Sequence, residues 1–273
     1  MLYALKDLMR IYRVKAEKSL SQNFIFDQQL LRRIAALPPG FPKDDATLVM
    51  EVGPAAGNLS RALMSHGYKH ILLVEKDLRF KPMLSQLKEY ANGKIDIVFD
   101  DALNLNPKWI PHDLQIFNHL LIIGNLPFAV ATPLTLKFFE AFDHSSTEHS
   151  FFHKFAGNVE MVLMYQYEVA RKLVARPGSR DYGRLAVLAQ TFSNCQLVQK
   201  IPRNKFTPTP LVDAALVHFK LKPEMRSRHI FHQLEKFTGQ FFRHKNQTNN
   251  LTLQGRRPVH IAPEDWLHLA SSA

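Results

Sequence analysis

Four consecutive residues, Asn125-Leu126-Pro127-Phe128, bring hydrogen-bond acceptors next to an aromatic side chain. They follow the apolar run 120–124, so they lie where a predicted buried strand ends and the chain turns. Pro127 stiffens that turn and has no backbone N–H. The side-chain oxygen of Asn125 and the carbonyl of Leu126 can each accept a hydrogen bond, and Phe128 adds a flat apolar face. This combination suits a planar base with an exocyclic amino group, such as adenine, although the tetrapeptide alone also fits an asparagine-capped turn.

A second pattern upstream is typical of a nucleotide-binding strand, loop and helix. The apolar stretch 48–52 predicts a buried strand, and the loop Gly53-Pro54-Ala55-Ala56-Gly57 follows it. A tight glycine turn between a strand and a helix lets a ligand approach the backbone. Glu75 ends the next predicted strand, 71–75, about 20 positions after the loop, where a carboxylate binds ribose hydroxyls in this architecture.

The details of the loop favour S-adenosylmethionine over a dinucleotide. Residues 55–56 are alanines where a dinucleotide fingerprint has its middle glycine. S-adenosylmethionine has a ribose but no phosphate, so it needs only the close turn and the carboxylate. A third strand, 95–99, is followed by acids, of which Asp101 can accept from an adenine amine. A single acid there is most often a solvated carboxylate, but the ordered set of loop, Glu75, Asp101 and Asn125 predicts a cofactor site.

These motifs resemble those of the ribosomal RNA adenine dimethyltransferases. The resemblance runs from about Leu5 to the end of the chain. It rests on the segments 18–27, 51–54, 74–77, 124–128, 168–171, 177–179, 182–185 and 206–213. It implies transfer of two methyl groups from S-adenosylmethionine to the exocyclic amine of adenosines in small-subunit ribosomal RNA. Similarity to the family's mitochondrial members implies a mitochondrial location.

The resemblance also implies roles for individual residues. The cofactor pocket would be lined by Asn23, Ile25, Gly53, Glu75, Lys76, Asp101, Ala102 and Asn125. The catalytic turn would be Asn125, Leu126, Pro127 and Phe128. Asn125 and the Leu126 carbonyl would hold the target amine, while Phe128 would stack on the flipped adenine and Phe206 would approach it from the other side. We further expect RNA contacts from basic residues near Phe206 and near the C-terminus, namely Arg203, Lys205, Arg243 and Lys245.

Two features depart from the family pattern. The loop at 53–57 reads Gly-Pro-Ala-Ala-Gly where relatives carry a further glycine, which bears on loop geometry and cofactor affinity. The C-terminal part is short, because the helix-length stretch expected between 249–251 and 256–258 is missing. We therefore expect RNA placement to differ from that of longer relatives.

Composition sets the class of protein. Lys and Arg total 35 against 24 Asp and Glu, so the formal net charge is +11. This excess favours a polyanionic partner, although many basic matrix proteins share it. An apolar content of 46% in 273 residues argues against disorder, and no apolar run approaches the roughly 20 residues that span a bilayer. The single Cys195 excludes an internal disulfide. Histidine pairs at 66/70 and 149/153 lack further ligands, so we predict no metal site.

Strands near 48–52, 71–75, 95–99, 120–124, 159–165, 196–201 and 213–220 alternate with helical stretches. This alternation predicts an α/β, Rossmann-like methyltransferase sheet with helices on both faces. We place a domain boundary near Lys222, which gives a methyltransferase domain at 1–221 and a small helical domain at 222–273. The basic segment 1–18 resembles a presequence, but it contains acids and is expected to be an ordinary helix. We expect a monomer that is not bound to membranes.

Three alternatives remain at this point. The fold also serves mitochondrial transcription factors that bind polymerase and DNA, which makes the mitochondrial transcription machinery a second candidate partner. A non-catalytic RNA-binding assembly factor would use the basic surface alone. A methylase of large-subunit ribosomal RNA would use the same chemistry. Intact Glu75, Asp101 and Asn125 favour retained catalysis, and cofactor binding in solution would separate enzyme from binding protein.

Overall fold

The computed structural model describes residues 5–14, 17, 22–110, 117–143, 151–155, 158–226, 229–243 and 255–271. The strands in these ranges are β1 (Phe24–Ile25), β2 (Thr47–Val52), β3 (His70–Glu75), β4 (Ile95–Phe99), β5 (His119–Gly124), β6 (Val159–Gln166), β7 (Ser193–Ile201), β8 (Phe206–Thr207) and β9 (Ala214–Leu221). The helices are α1 (Leu5–Ile11), α2 (Gln28–Ala35), α3 (Asn58–Ser65), α4 (Lys81–Ala91), α5 (Phe128–Asp143), α6 (Tyr167–Leu173), α7 (Arg184–Phe192), α8 (Phe231–Phe242) and α9 (Pro263–Ser271).

The order and direction of the strands bring the predicted site residues together at one edge of the sheet. In the described part of the chain, seven strands form a sheet in the order β4-β3-β2-β5-β6-β9-β7. Strands β4, β3, β2, β5 and β6 are parallel, and β9 is antiparallel to both of its neighbours. The chain order reverses between β2 and β5, which pair directly. A crevice outside the carboxyl ends of the strands at such a reversal is where open α/β sheets bind ligands.

Both faces of the sheet are buried. Side chains of successive strand residues point to opposite faces, and on β2 Leu48 and Met50 enter one apolar cluster while Val49 enters another. Leu120 and Leu121 on β5 divide between the same two clusters. Burial on both faces explains why these strands appear in the sequence as continuous apolar runs rather than as alternating patterns.

The predicted α/β fold is confirmed. Each of the seven predicted strands is present with bounds that differ by a few residues, the largest shift being β7, which begins at Ser193. The predicted packing role of the phenylalanines is also confirmed for Phe151, Phe152 and Phe155, whose side chains are at most 1% exposed. The loop predicted at 143–157 contains a short 3-10 turn at Phe151–Lys154, while its segments 144–150 and 156–157 lie outside the described residues.

The C-terminal helices share the apolar core of the sheet. Trp266 on α9 is fully buried, and its ring lies 6.0 Å from the ring of Phe237 and 5.4 Å from that of Phe242. The hydroxyl of Tyr182 donates to the carbonyl of Ile261 at 2.8 Å. The predicted domain boundary falls at the end of β9, and the division into two domains stays a prediction. None of the helices in the described ranges is long and apolar enough to cross a membrane.

Candidate active site at the carboxyl edge of the sheet

A cavity lies where β2, β3 and β5 end. Its walls come from the segment 22–25, the loop 53–56, the carboxylates of Glu51 and Glu75, and the turn that follows β5. Five of the predicted cofactor residues line it: Asn23, Ile25, Gly53, Glu75 and Asn125. The fold therefore gathers residues that are about 100 positions apart in sequence into one cavity.

Glu75 is hydrogen-bonded to the backbone of the glycine loop and to the residues that follow β3. One carboxylate oxygen accepts from the backbone N–H of Ala55 at 2.9 Å, and the other accepts from that of Asp77 at 2.8 Å. Burial raises the pKa of Glu75, and the two N–H donors partly oppose that shift. The carboxylate thus lies at the end of β3, the position that the sequence predicts, and its contact with a ribose stays a prediction.

The loop adopts left-handed backbone geometry at Ala55. Its φ is 52°, between Gly53 at 68° and Gly57 at 85°. An L-residue pays about 1–2 kcal/mol for this conformation, whereas glycine does not. The alanine at this position therefore holds a conformation that costs stability and that glycine adopts without this cost.

The turn after β5 requires a glycine before it. A Cβ on Gly124 would lie 2.6 Å from the carbonyl oxygen of Val52 on the neighbouring strand, so only glycine permits this approach. The side chain of Leu126 is buried and anchors the turn. Asn125 donates through its side-chain nitrogen to the backbone carbonyl of Asn23 at 2.8 Å. That bond leaves the Asn125 side-chain oxygen as an acceptor in the cavity.

A small second sheet of two strands, β1 and β8, lies beside this cavity. Strand β1 pairs with β8, so Ile25 lies opposite Phe206. Phe206 is 2% exposed and belongs to the apolar cluster against which the half-buried Phe128 packs. Phe128 and Phe206 thus belong to the same apolar cluster, and the contact of either ring with a bound adenine stays a prediction.

Lys76, Asp101 and Ala102 lie beside the cavity rather than in its wall. They follow Glu75 and Phe99, which pair at the ends of β3 and β4. Lys76 forms a 2.7 Å ion pair with Asp101. Partial burial raises the pKa of Asp101, but the hydrogen bonds from Lys76 and from a backbone N–H outweigh it and leave the pKa below its usual value. Asp101 is therefore an ionised acceptor on the predicted adenine side.

Glu51 is a cavity residue that sequence analysis did not assign. Its side chain is 2% exposed, and burial raises its pKa to about 8, with a smaller opposing effect of Ser60 and a further rise from Glu75. Its Oε2 atom and the Oδ1 atom of Asn58 are buried without a hydrogen-bond partner in the described part of the chain. Buried acceptors of this kind need a donor, which the nearby Ser60 hydroxyl, a water molecule or a ligand can supply. The sequence feature that could have identified Glu51 is its position as an acid inside the apolar run 48–52.

Comparison with known proteins identifies the family. Residues 13–260 match the family described as ribosomal RNA adenine dimethylase. The chain belongs to this family. The dimethylase is 32% identical over 254 residues to the ribosomal RNA small subunit methyltransferase A of Ruegeria pomeroyi, covering 93% of the chain and 85% of that protein. It is 33% identical to the mitochondrial dimethyladenosine transferase 1 of Bos taurus, covering 89% of the chain and 71% of that protein.

Solved structures share the dimethylase fold. A dimethyladenosine transferase from Plasmodium falciparum superimposes with a TM-score of 0.71 at 19% identity, covering 90% of the chain and 95% of that structure. The 23S rRNA methyltransferase ErmE superimposes with a TM-score of 0.62 at 21% identity, covering 91% and 98%. These identities speak for the fold alone, which is that of Rossmann-like methyltransferases.

The dimethylase transfers methyl groups from S-adenosylmethionine to the exocyclic amine of adenosine in ribosomal RNA. The cavity fits this cofactor chemically. S-adenosylmethionine has hydrogen-bond donors at its ammonium group, its ribose hydroxyls and its adenine amine. The site presents acceptors at Glu51, Glu75 and Asp101, of which the first lacks a donor in the described part of the chain.

The predicted RNA contacts occupy two regions. Lys205 lies just before β8 and forms a 2.8 Å ion pair with Asp27, and Arg203 is exposed nearby. Arg243 follows α8 and lines a separate shallow pocket with Arg184. Lys245 lies outside the described residues, as do the segments 18–21 and 249–251 and His149. Across the described ranges, no three His, Cys, Asp or Glu side chains come together as metal ligands.

Proposed function

We propose that the dimethylase modifies adenosines of small-subunit ribosomal RNA, with Asn125 and the Leu126 carbonyl as the acceptors of the target amine. The observation that carries this proposal is the hydrogen bond from the Asn125 side-chain nitrogen to Asn23. It orients the amide so that its oxygen, not its nitrogen, is left for a substrate proton. A flipped adenine amine would then meet two acceptors at the end of β5.

Two acceptors change the reactivity of the amine. Its lone pair is delocalised into the ring, so it is a poor nucleophile. Holding both protons at Asn125 and Leu126 favours a tetrahedral nitrogen whose lone pair points away from the ring. The amine loses its proton only after alkylation, so the site needs no strong base. Bound S-adenosylmethionine supplies an electrophilic methyl group on its sulfonium, and the protein contributes mainly position and orientation.

The aromatic side chain beside the acceptors offsets the cost of flipping. Taking a base out of its stack costs a few kcal/mol. Phe128, at the first position of α5, is half-buried and keeps part of its ring available for stacking. Phe206 supports the same region from within the apolar cluster.

We assign the cofactor roles from the burial of each residue and from its position around the cavity. Glu75 accepts from the ribose hydroxyls. Glu51 keeps its proton below a pH of about 8 in the free protein, and the positive charge of the ammonium group would favour its ionisation, after which the buried Oε2 accepts from that group. Asp101 accepts from the adenine amine, with Lys76 and Ala102 beside it. The remaining wall comes from Asn23, Ile25 and Gly53.

Substrate class and location rest on the relatives. The small-subunit assignment follows the name of the bacterial relative, and the mitochondrial location follows the name of the mitochondrial relative. We propose a mitochondrial monomer that binds the RNA through its basic surface, which has a net charge of +11. Fractionation of cells with immunodetection tests the location, and sedimentation tests the monomer. The two relatives named above carry the names of RNA-modifying enzymes, which favours methylation over a transcription role.

The decisive substrate test compares the two ribosomal RNAs. Unmethylated small-subunit and large-subunit RNA are each incubated with the protein and labelled S-adenosylmethionine, and mass spectrometry maps dimethyladenosine. We expect modification of the small-subunit RNA alone. Modification confined to the large-subunit RNA would show that the substrate assignment is wrong while leaving the chemistry intact.

A further inference from the structure

The segment 208–213, which follows β8, exposes an apolar tip. Leu211 is 92% exposed and is the most exposed large apolar side chain in the described part of the chain. Val212 beside it is 41% exposed. A single exposed leucine on a protein surface is ordinary. Leu211 differs from this ordinary case in the support of its backbone, in its position on the fold and in the charge of its surroundings.

The backbone of this tip is held firmly. Arg203 donates through its guanidinium to the carbonyl of Leu211 at 3.3 Å, and its own N–H donates to the carboxylate of Asp213 at 3.0 Å. Lys200 forms a 2.9 Å ion pair with the same carboxylate. Pro208 and Pro210 also fix φ on either side of Thr209. Leu211 is therefore presented to solvent on a rigid support rather than on a loose loop.

The tip belongs to the edge of the sheet that carries the active site. Before it, β8 pairs with β1, which follows directly after Asn23, the hydrogen-bond partner of Asn125. After it, the carbonyl of Asp213 accepts from the backbone N–H of Tyr167 at 2.9 Å, at the end of β6. The exposed leucine is thus connected through short contacts to the turn that would hold the target adenine.

The surroundings suit a polyanion. Lys200, Arg203 and Lys205 all precede the tip in sequence. Lys200 and Lys205 are 49% and 44% exposed, although each pairs with a carboxylate, and Arg203 is exposed. Lys200 also lies over the ring of Tyr167, 4.6 Å from its centroid. An apolar tip with Arg203 and Lys200 bound to its backbone and its Asp213 carboxylate fits nucleic acid better than it fits an apolar protein partner, because exposed cations can contact phosphates while the leucine contacts bases.

We infer that Leu211, with Val212 beside it, is an apolar wedge that enters the RNA and fills the place left by the flipped adenine. Apolar side chains inserted between base steps offset unstacking in other nucleic-acid complexes. A rigid leucine on the edge of the sheet that carries the base pocket would lower the cost of flipping in the same way. The inference rests on the proposed function, since it needs an adenine that leaves its stack.

The test compares a stacked substrate with an unstacked one. The variants are Leu211→Ser and the conservative Leu211→Met, and the substrates are an RNA hairpin with the target adenosine stacked and a short unstructured oligonucleotide with the same adenosine. We expect Leu211→Ser to lower kcat/KM on the hairpin by about tenfold or more, with less than about a twofold loss on the unstructured RNA. Leu211→Met should restore most of the hairpin rate, and S-adenosylmethionine affinity should not change.

The control is Tyr90→Ser, which removes a 54% exposed side chain near the end of α4, away from this edge. It should leave both rates unchanged. Equal losses on both substrates with Leu211→Ser, or no loss on either, would overturn the wedge. Failure of the wild-type protein to methylate either RNA would instead contradict the proposed function, so the two failures are distinguishable.

Discussion

The side-chain amide of Asn125 donates a 2.8 Å hydrogen bond to the backbone carbonyl of Asn23, across 102 residues of sequence. The bond joins the turn after β5 to the segment that leads into β1. Both residues line the same cavity. It sets the orientation of the amide group, and with it the chemical character of the atom that Asn125 offers to a substrate.

Removing the Glu75 carboxylate should weaken cofactor binding. We expect Glu75→Ala to lower S-adenosylmethionine affinity by about 1.5–3 kcal/mol, the range for hydrogen bonds to charged groups. Part of this loss of affinity would come from a less ordered glycine loop, because the carboxylate also accepts from the N–H groups of Ala55 and Asp77. Titration calorimetry measures the affinity, with Glu89→Ala on the exposed surface of α4 as the control. Equal affinities for wild type and Glu75→Ala would remove Glu75 from the site.

The buried Glu51 should make stability depend on pH. Burial raises the pKa of Glu51 from 4.5 to about 8. Between these values the unfolded chain has released this proton and the folded chain retains it, so stability falls as pH rises through the window and changes no further above it. The slope is at most about 1.4 kcal/mol per pH unit. Glu51→Gln should remove this dependence.

Urea unfolding of both proteins from pH 5 to pH 9 measures the effect. Glu51→Gln should gain stability relative to wild type as pH rises to about 8, and the exposed-site variant Glu89→Gln should follow wild type. Parallel stability curves for wild type and Glu51→Gln would show that Glu51 is ionised in the folded protein.

Glycine at position 55 should be tolerated better than glycine in a helix. Ala55 pays about 1–2 kcal/mol for its left-handed φ, while glycine adds about 0.5–1 kcal/mol of unfolded-state entropy. Ala55→Gly should therefore be neutral or stabilising by up to about 1 kcal/mol. Ala141→Gly in α5 is the control and should destabilise by about 1 kcal/mol. Thermal unfolding that shows the two variants equally destabilised would contradict the strain at Ala55.

The sequence was sufficient for the parts of the site that lie at strand ends. Continuous apolar runs place Glu75 and Asn125 at the carboxyl ends of parallel strands, and the topology then brings them together. Two features of the site could not be predicted from the sequence. The pairing of β1 with β8 involves two residues on each strand, which is too short for any periodicity to reveal. The burial of Glu51 depends on α3 and the segment 22–25 closing over β2, which no local pattern encodes.

Lys205, which immediately precedes Phe206 in sequence, should contribute to RNA affinity in a salt-dependent way. Lys205→Gln should lower the slope of log affinity against log salt by about 0.7–0.9 and weaken all RNAs alike. Its partner Asp27 competes with phosphate, so Asp27→Asn should have the opposite effect. Lys88→Gln, which also breaks an exposed ion pair, is the matched control. Binding titrations at several salt concentrations decide, and an unchanged slope for Lys205→Gln would place the RNA elsewhere.

The central claim is that Asn125 holds the reacting amine, and single-turnover methylation of small-subunit RNA by Asn125→Ala tests it most directly. Loss of one positioned hydrogen-bonding group at a reacting centre costs about a hundredfold to a thousandfold in rate. We predict a loss of that size in dimethyladenosine formation, measured by mass spectrometry at saturating S-adenosylmethionine, with RNA affinity close to normal because phosphate contacts dominate it. Dimethylation at the wild-type rate by Asn125→Ala would contradict the account.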